Sequence, residues 1–189
     1  MLTPTYPLRT QRLDLRPYEE SDLPVVRAMF TNPGVMRWLY PEPLTEEELP
    51  ERLAQKIARR DFMAEADGIN LLGVRRDTGE PVVDLALQWV SDIHRSGEVG
   101  YIVVPGHEGN GYATEGTQEM LRLGFVDAGF HRIVGRLEAR NAASAAVLER
   151  LGMRREATLV ENEWVKGEWQ SETVYALLEA EWSASSSSA

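Results

Sequence analysis

Between Val99 and Ala128 the chain spells a short β-branched run, a cluster of glycines and then a helical repeat, and few folds accommodate that order. Val99 to Val104 reads as a strand stopped by Pro105 and Gly106. Gly109 and Gly111 follow, and Ala113, Thr117, Met120, Leu121, Gly124 and Ala128 then recur at three- and four-residue spacing, which marks one face of a helix. The first turn of a helix leaves backbone N–H groups without intrahelical partners, and the macrodipole adds a partial positive charge there, so an anion is welcome. Glycines at such a turn let a phosphate approach the backbone closely. The stretch is therefore a candidate pyrophosphate cradle. It is not a Walker A loop, since no Gly-Lys-Ser/Thr follows, and GHEGNG lacks the GxGxxG spacing of a dinucleotide site. Taken alone it reads equally well as an ordinary strand-to-helix connection.

The flanking sequence supplies the partners of this unit. Leu8 to Tyr18 alternates Leu13 and Leu15 with Arg12, Asp14 and Arg16, predicting a first strand; a short helix with an acidic first turn ends near Phe30. After the turn at Asn32-Pro33-Gly34, Val35 to Tyr40 carries Trp38 and Tyr40, which suit either the core or a pocket wall. Thr45 and Glu48 form a capping-box pattern for an amphipathic helix to about Arg60. Ile69 to Arg75 and Pro81 to Val90 predict a hairpin about Asp77-Thr78-Gly79. Arg132 to Glu138 alternates as a strand that completes a right-handed strand–helix–strand crossover. Asn141 opens a helix from Ala142 to Leu151, ended by Gly152. Strands at Arg154 to Val165 and Glu168 to Leu178 flank a turn at Lys166-Gly167.

Composition narrows the function. The 189 residues, 43% of them apolar and 26% charged, suit one domain, read as residues 1–182, with the serine-rich 183–189 as a tail without structure. Absence of cysteine removes disulfides, thiolate metal sites and a cysteine nucleophile, and His94, His107 and His131 have no metal-ligand spacing, so no metal is expected. A net charge of −10 argues against nucleic acid and favours a cationic partner such as an amine. No segment has signal-peptide or membrane-span character, so a cytoplasmic protein with no membrane partner is expected.

EVGYIVVPGHEGNGYATEG, RNAASAAVLERLGM and KGEWQSETVYALLEAEW, in that order, resemble the GNAT superfamily of acyl-CoA-dependent N-acyltransferases. The Arg12 to Arg16 strand, Arg-Leu-x-Leu-Arg in form, is similar to the RimJ/RimL branch, which acts on ribosomal proteins. The resemblance implies an α/β (α+β) fold: a mixed, mostly antiparallel twisted sheet of about seven strands, a splayed central strand pair, and helices on both faces. It implies acetyl-CoA as cosubstrate and an amine acceptor; dimers are common in the family, so a homodimer is compatible with it.

On these residues the resemblance places cofactor contacts at Ile102, Val103 and Val104 beside the pantetheine arm. It places them also along the turn Glu108, Gly109, Asn110, Gly111, Tyr112, Ala113 and Thr114, and at Asn141, whose ordinary reading as an N-cap is compatible with that role. Glu108 puts an acid where the family has a neutral or basic side chain, and Ser171 stands where the branch often has Asp. For the base, Glu163 is placed ahead of Glu98. The family's proton-donating Tyr is Leu148 here, which cannot donate; Ser144 is the substitute and Tyr175 a distant third. The acceptor, shaped by Asn32 to Leu44 and the last hairpin loop, is a peptide N-terminal amine or, alternatively, a small-molecule amine. A catalytically silent acyl-CoA sensor is the remaining reading.

Overall fold

The computed structural model describes residues 1–186. Eight strands among them form one sheet in the order β1-β2-β3-β4-β5-β6-β8-β7. All neighbours are antiparallel except β5 (Ser96–Val103) and β6 (Arg132–Glu138). The sheet has one strand more than the alternation predicts because the first strand is folded on itself. Thr10 Oγ1 takes the amide of Leu13 at 3.0 Å, and the resulting turn divides β1 (Leu8–Arg9) from β2 (Leu13–Pro17).

Helices cover both faces. β3 (Gly68–Arg75) and β4 (Pro81–Ser91) are central, so their successive residues are buried on alternate sides: Leu71 and Leu85 join one core cluster, Leu72 the other. On one face α1 (Leu23–Phe30), the single turn α2 (Pro33–Met36) and α3 (Leu49–Ala58) contribute Val26, Met29, Met36, Leu49 and Leu53. On the other, α4 (Tyr112–Arg122) contributes Met120 and Leu121, and α5 (Ala142–Arg150) contributes Leu148. A Cβ on Gly135 would stand 2.8 Å from Leu148 Cδ1, so this glycine lets α5 settle directly on β6.

The helical repeat after the glycine turn does not stay regular to Ala128: Leu123–Asp127 widens into a π turn. β7 (Arg154–Val165) and β8 (Glu168–Leu178) close the sheet. A further helix, α6 (Glu179–Ser186), continues into the serine-rich tail that the sequence suggested to be without structure; residues 187–189 lie outside the described residues. Trp182 anchors it by stacking on Phe125, ring centroids 5.9 Å apart. No helix among the described residues is long and apolar enough to cross a membrane.

Candidate active site

The parallel pair β5 and β6 is joined only from Ser96↔Arg132 to Val99↔Gly135, although β5 continues to Val103 and β6 to Glu138. Beyond Val99 the two strands part, and a cleft of about 1460 Å³ opens there. Gly100 to Val103 form one lip and Gly135 to Leu137 the other. The register decides which backbone groups face the gap. Val104 donates its amide to Val82 at 3.0 Å, so in the alternation of an antiparallel pair Val104 and Ile102 turn their polar groups to β4, whereas Tyr101 and Val103 turn theirs to the gap. Of Ile102, Val103 and Val104, only Val103 offers its backbone to a ligand in the cleft, and Tyr101 joins it. Val104 is also 7% exposed and belongs to the second core cluster.

At one end of the cleft lies the glycine turn. Gly109 and Gly111 both have positive φ, +78° and +80°, and Gly111 is the N-cap of α4 with no side chain capping the helix. A Cβ at Gly111 would find nothing nearer than Arg12 Nη2 at 3.5 Å, so the backbone conformation, more than crowding, is what requires glycine. The amides from Gly109 to Thr114 make no hydrogen bond to an acceptor in the protein among the described residues, which leaves a row of donors at the positive end of a helix. The side chains of Tyr112 and Ala113 are buried, and Thr114 Oγ1 is shut off from solvent without a partner; what these three present to a ligand is their amides. Glu108 folds back to accept the Gly106 amide at 2.9 Å, and Asn110 Nδ2 donates to the carbonyls of His107 and Glu108. The unusual acid thus braces its own loop.

Arg12, a strand residue by its alternation, holds this turn in place. Its guanidinium reaches Glu115 at 2.6 Å and the Asn110 carbonyl at 3.0 Å, and it stands 4.9 Å over the Tyr112 ring. Glu115 also accepts from Thr10 Oγ1 and the Arg12 amide. Against the upward push of burial, these hydrogen bonds from Thr10 and Arg12 hold its carboxyl below the ordinary range. No local pattern reveals the pair, because 103 residues separate its members.

Across the gap, Asn141 Oδ1 caps α5 by accepting the Ser144 amide at 3.1 Å, so its Nδ2 is the end left for a ligand. Tyr101 Oη stands 2.8 Å from the Ser144 carbonyl and 2.9 Å from Ser144 Oγ. Burial pushes this phenol up to about 12, against the lowering hydrogen bond to Ser144. Leu148 is packed into the floor, and the Tyr175 hydroxyl is spent on Glu149 at 2.9 Å. Only Ser144, of the three proton-donor positions considered, presents a hydroxyl to the cleft.

Another wall of the cleft carries Trp38, Leu39 and Tyr40. Lys166, in the β7–β8 turn, donates to the carbonyls of Met36 and of Leu39, the latter at 2.7 Å, which straps the last hairpin over the segment after α2. Glu98 lies on β5 one residue before the strands part. Arg136 joins its carboxylate at 3.2 Å to that of Glu172 at 2.8 Å. Burial raises the Glu98 carboxyl above its ordinary range, against the opposing pull of Arg136. Glu163 lies opposite Gln170 on β7, two strands beyond β6. Although the Tyr40 ring is largely exposed, burial of its hydroxyl, then the carboxylates of Glu163 and Glu172, raise the phenol.

A family model described as Acetyltransferase (GNAT) domain matches residues 12–154. The uncharacterized N-acetyltransferase YoaA of Bacillus subtilis is 29% identical over 171 residues, 90% of this chain and 96% of that protein. The spermidine N(1)-acetyltransferase of Vibrio cholerae is 28% identical over 163 residues, 84% of this chain and 88% of that one. The crystal structure of a GNAT-family acetyltransferase from Bacillus anthracis superposes with a TM-score of 0.82 at 26% identity, over 92% of this chain and 99% of that one.

Proposed function

Since the chain belongs to the GNAT acetyltransferase family, we propose that it moves the acetyl group of acetyl-CoA onto the primary amine of a small molecule through the gap between β5 and β6. The observation that carries this reading is the parting of those strands after Val99 and Gly135, beside a helix N-terminus whose amides have no acceptor. Acetyl-CoA supplies a thioester whose acetyl carbon accepts the amine. The amides of Gly109 to Thr114 hold its pyrophosphate, the gap-facing backbone of Tyr101 and Val103 pairs with the arm, and Asn141 Nδ2 adds a donor. A backbone N–H from the same lip stabilises the developing oxyanion, a contribution of about 3 kcal/mol for one such donor.

Two proton movements remain. The amine must lose a proton, and neither candidate carboxylate lines the cleft itself: Glu98 precedes the parting point on β5 by one residue, whereas Glu163, on the outer strand β7, acts on the Tyr40 hydroxyl at the cleft wall, so either would work directly or through one water. Glu98, on a strand that borders the gap, is assigned as the base and Glu163 as the alternative. Ser144, oriented by Tyr101, donates toward the leaving sulfur.

A small acceptor is favoured over a peptide N-terminus by the Lys166 strap, which fixes the segment that carries Trp38 and Tyr40 on the cleft wall, and by the likeness to a spermidine acetyltransferase over 84% of this chain. The test is thiol release from acetyl-CoA across small amines and peptides. Release stimulated by small amines supports the reading. Stimulation by peptides alone returns it to the ribosomal-protein branch, and tight acetyl-CoA binding without turnover would favour a sensor. In the same assay Gly111→Asp is expected to weaken acetyl-CoA binding at least tenfold by calorimetry while the protein stays folded, because Asp tolerates positive φ but opposes a phosphate. Unchanged affinity would remove the cradle from the mechanism.

A further inference from the structure

The arginines of this chain are not distributed as its charge would suggest. With 30 acidic residues against 20 basic ones, a carboxylate is at hand for almost any guanidinium. Among the described residues the arginines with no carboxylate within 4.0 Å are Arg37, Arg52, Arg59, Arg60, Arg150 and Arg155. Four of them, Arg37, Arg52, Arg59 and Arg150, line the one cleft. Arg150, at the end of α5, is on the side assigned to the cofactor. The other three are not.

Arg52 on α3 and Arg59, the residue that caps its C-terminus, stand about two turns apart with Lys56 between them, and α3 packs on β3. Lys56 is neutralised by Asp84, at 2.8 and 2.7 Å, which leaves the two arginines as the free charges of that wall. Arg52 lies over the Phe30 ring at 5.2 Å, Arg37 over the Trp38 ring at 4.3 Å, and Arg59 donates to the side-chain Oε1 of Gln88 at 3.1 Å. These contacts hold the guanidinium planes without consuming their charge. The carboxylates that line the cleft, Asp84, Glu108 and Glu115, are each engaged already. On the other side stand Glu98 on β5, Glu172 on β8 and Glu163 on β7. The groove thus has a basic wall along α3, while the acids on the β8 side are set back behind its lining.

Building on the acceptor side assigned above, we propose that the acceptor is a primary amine that carries an anionic group, a carboxylate or a phosphate, held by Arg52 and Arg59 with Arg37 while its amine faces Glu98. A polyamine would bring its second cation against unpaired arginines, which a groove selecting spermidine would avoid. Arg59 reaches Gln88 on β4, the register partner of Glu98, whereas Arg52 stands two turns back along the helix, so amine and anion are separated by one to two strand spacings, about 5–10 Å.

Three six-carbon probes decide the matter: 6-aminohexanoate, 6-aminohexyl phosphate and 1,6-diaminohexane. Each is titrated by calorimetry into the CoA-bound protein and then assayed for thiol release with acetyl-CoA. The expected result is that an anionic probe binds and turns over at least tenfold better than the diamine. The two anionic probes compared with each other separate carboxylate from phosphate. Arg52→Glu is expected to abolish that preference or reverse it toward the diamine, and Arg52→Lys to retain most of it. Equal or tighter binding of the diamine, preference unchanged in Arg52→Glu, or binding of none of the probes overturns the proposal. Turnover of the diamine ahead of the others defeats this inference and leaves the acetyltransferase reading standing, whereas binding of an anionic probe without turnover defeats the latter alone.

Discussion

Glu98→Gln is expected to lower kcat about a hundredfold while leaving acetyl-CoA affinity nearly unchanged, since glutamine keeps the shape of the side chain and loses its basicity. Glu163→Gln, at the far strand, is expected to cost severalfold at most. The parent enzyme should show an acidic limb in kcat/KM above the usual carboxylate range, because burial raises the Glu98 carboxyl against the pull of Arg136, and that limb should vanish in Glu98→Gln. Stability supplies a second readout with a definite sign. A carboxyl whose folded pKa is raised takes up protons on folding, so it favours the folded state at low pH and detracts from it as pH rises through the raised value. At neutral pH, Glu98→Gln should therefore melt no lower than the parent. A collapse of rate in Glu163→Gln with Glu98→Gln intact would transfer the role to Glu163. If neither matters, positioning of an already neutral amine carries the reaction.

Lys56→Met is expected to destabilise the fold by about 3–5 kcal/mol, read as a shift in the urea midpoint at neutral pH. Lys56 and Asp84 have side chains 8% and 6% exposed, and the carboxylate accepts from both the ammonium and the Tyr18 hydroxyl, at 2.7 Å. Removal of the lysine leaves a buried carboxylate with only a phenol to answer it. Lys56→Met combined with Asp84→Asn removes both charges and should recover most of the loss. A loss in the double variant as large as in the single one would mean that packing of the lysine stem, not its charge, is what the core needs.

Arg12 and Glu115 show where reading along the chain stops. The alternation Leu13, Asp14, Leu15 marks β2 correctly, and Glu115 fits the acidic first turn of a helix, but nothing local joins the two. β6, β7 and β8 keep the ends that alternation and the Lys166-Gly167 turn predict, since each depends on residues a few positions apart. The β1–β2 turn depends on one threonine side chain, and α6 docks through Trp182 onto Phe125; neither leaves a periodic trace. Tyr101 reads as a strand residue and becomes a site residue only when α5 brings Ser144 beside it.

What the sequence determined alone is short in range: the strand, glycine turn and helix that make an anion cradle, the N-cap at Asn141, and the motif order by which the family is recognised. These follow from backbone periodicity and from glycine's freedom at positive φ, which operate over a few residues. The tertiary structure decided the rest. The parting of β5 from β6 is a matter of sheet register, and the choice of Tyr101 and Val103 over Ile102 and Val104 follows from which edge of β5 is already bonded to β4. The net charge of −10 favours an amine, in keeping with a GNAT acetyltransferase, but says nothing of where the charges stand, and the cleft carries free arginines. A sequence counts its charges, but only the packing of α3 against β3 locates them, and a ligand responds to the field at its own site rather than to the sum over the chain.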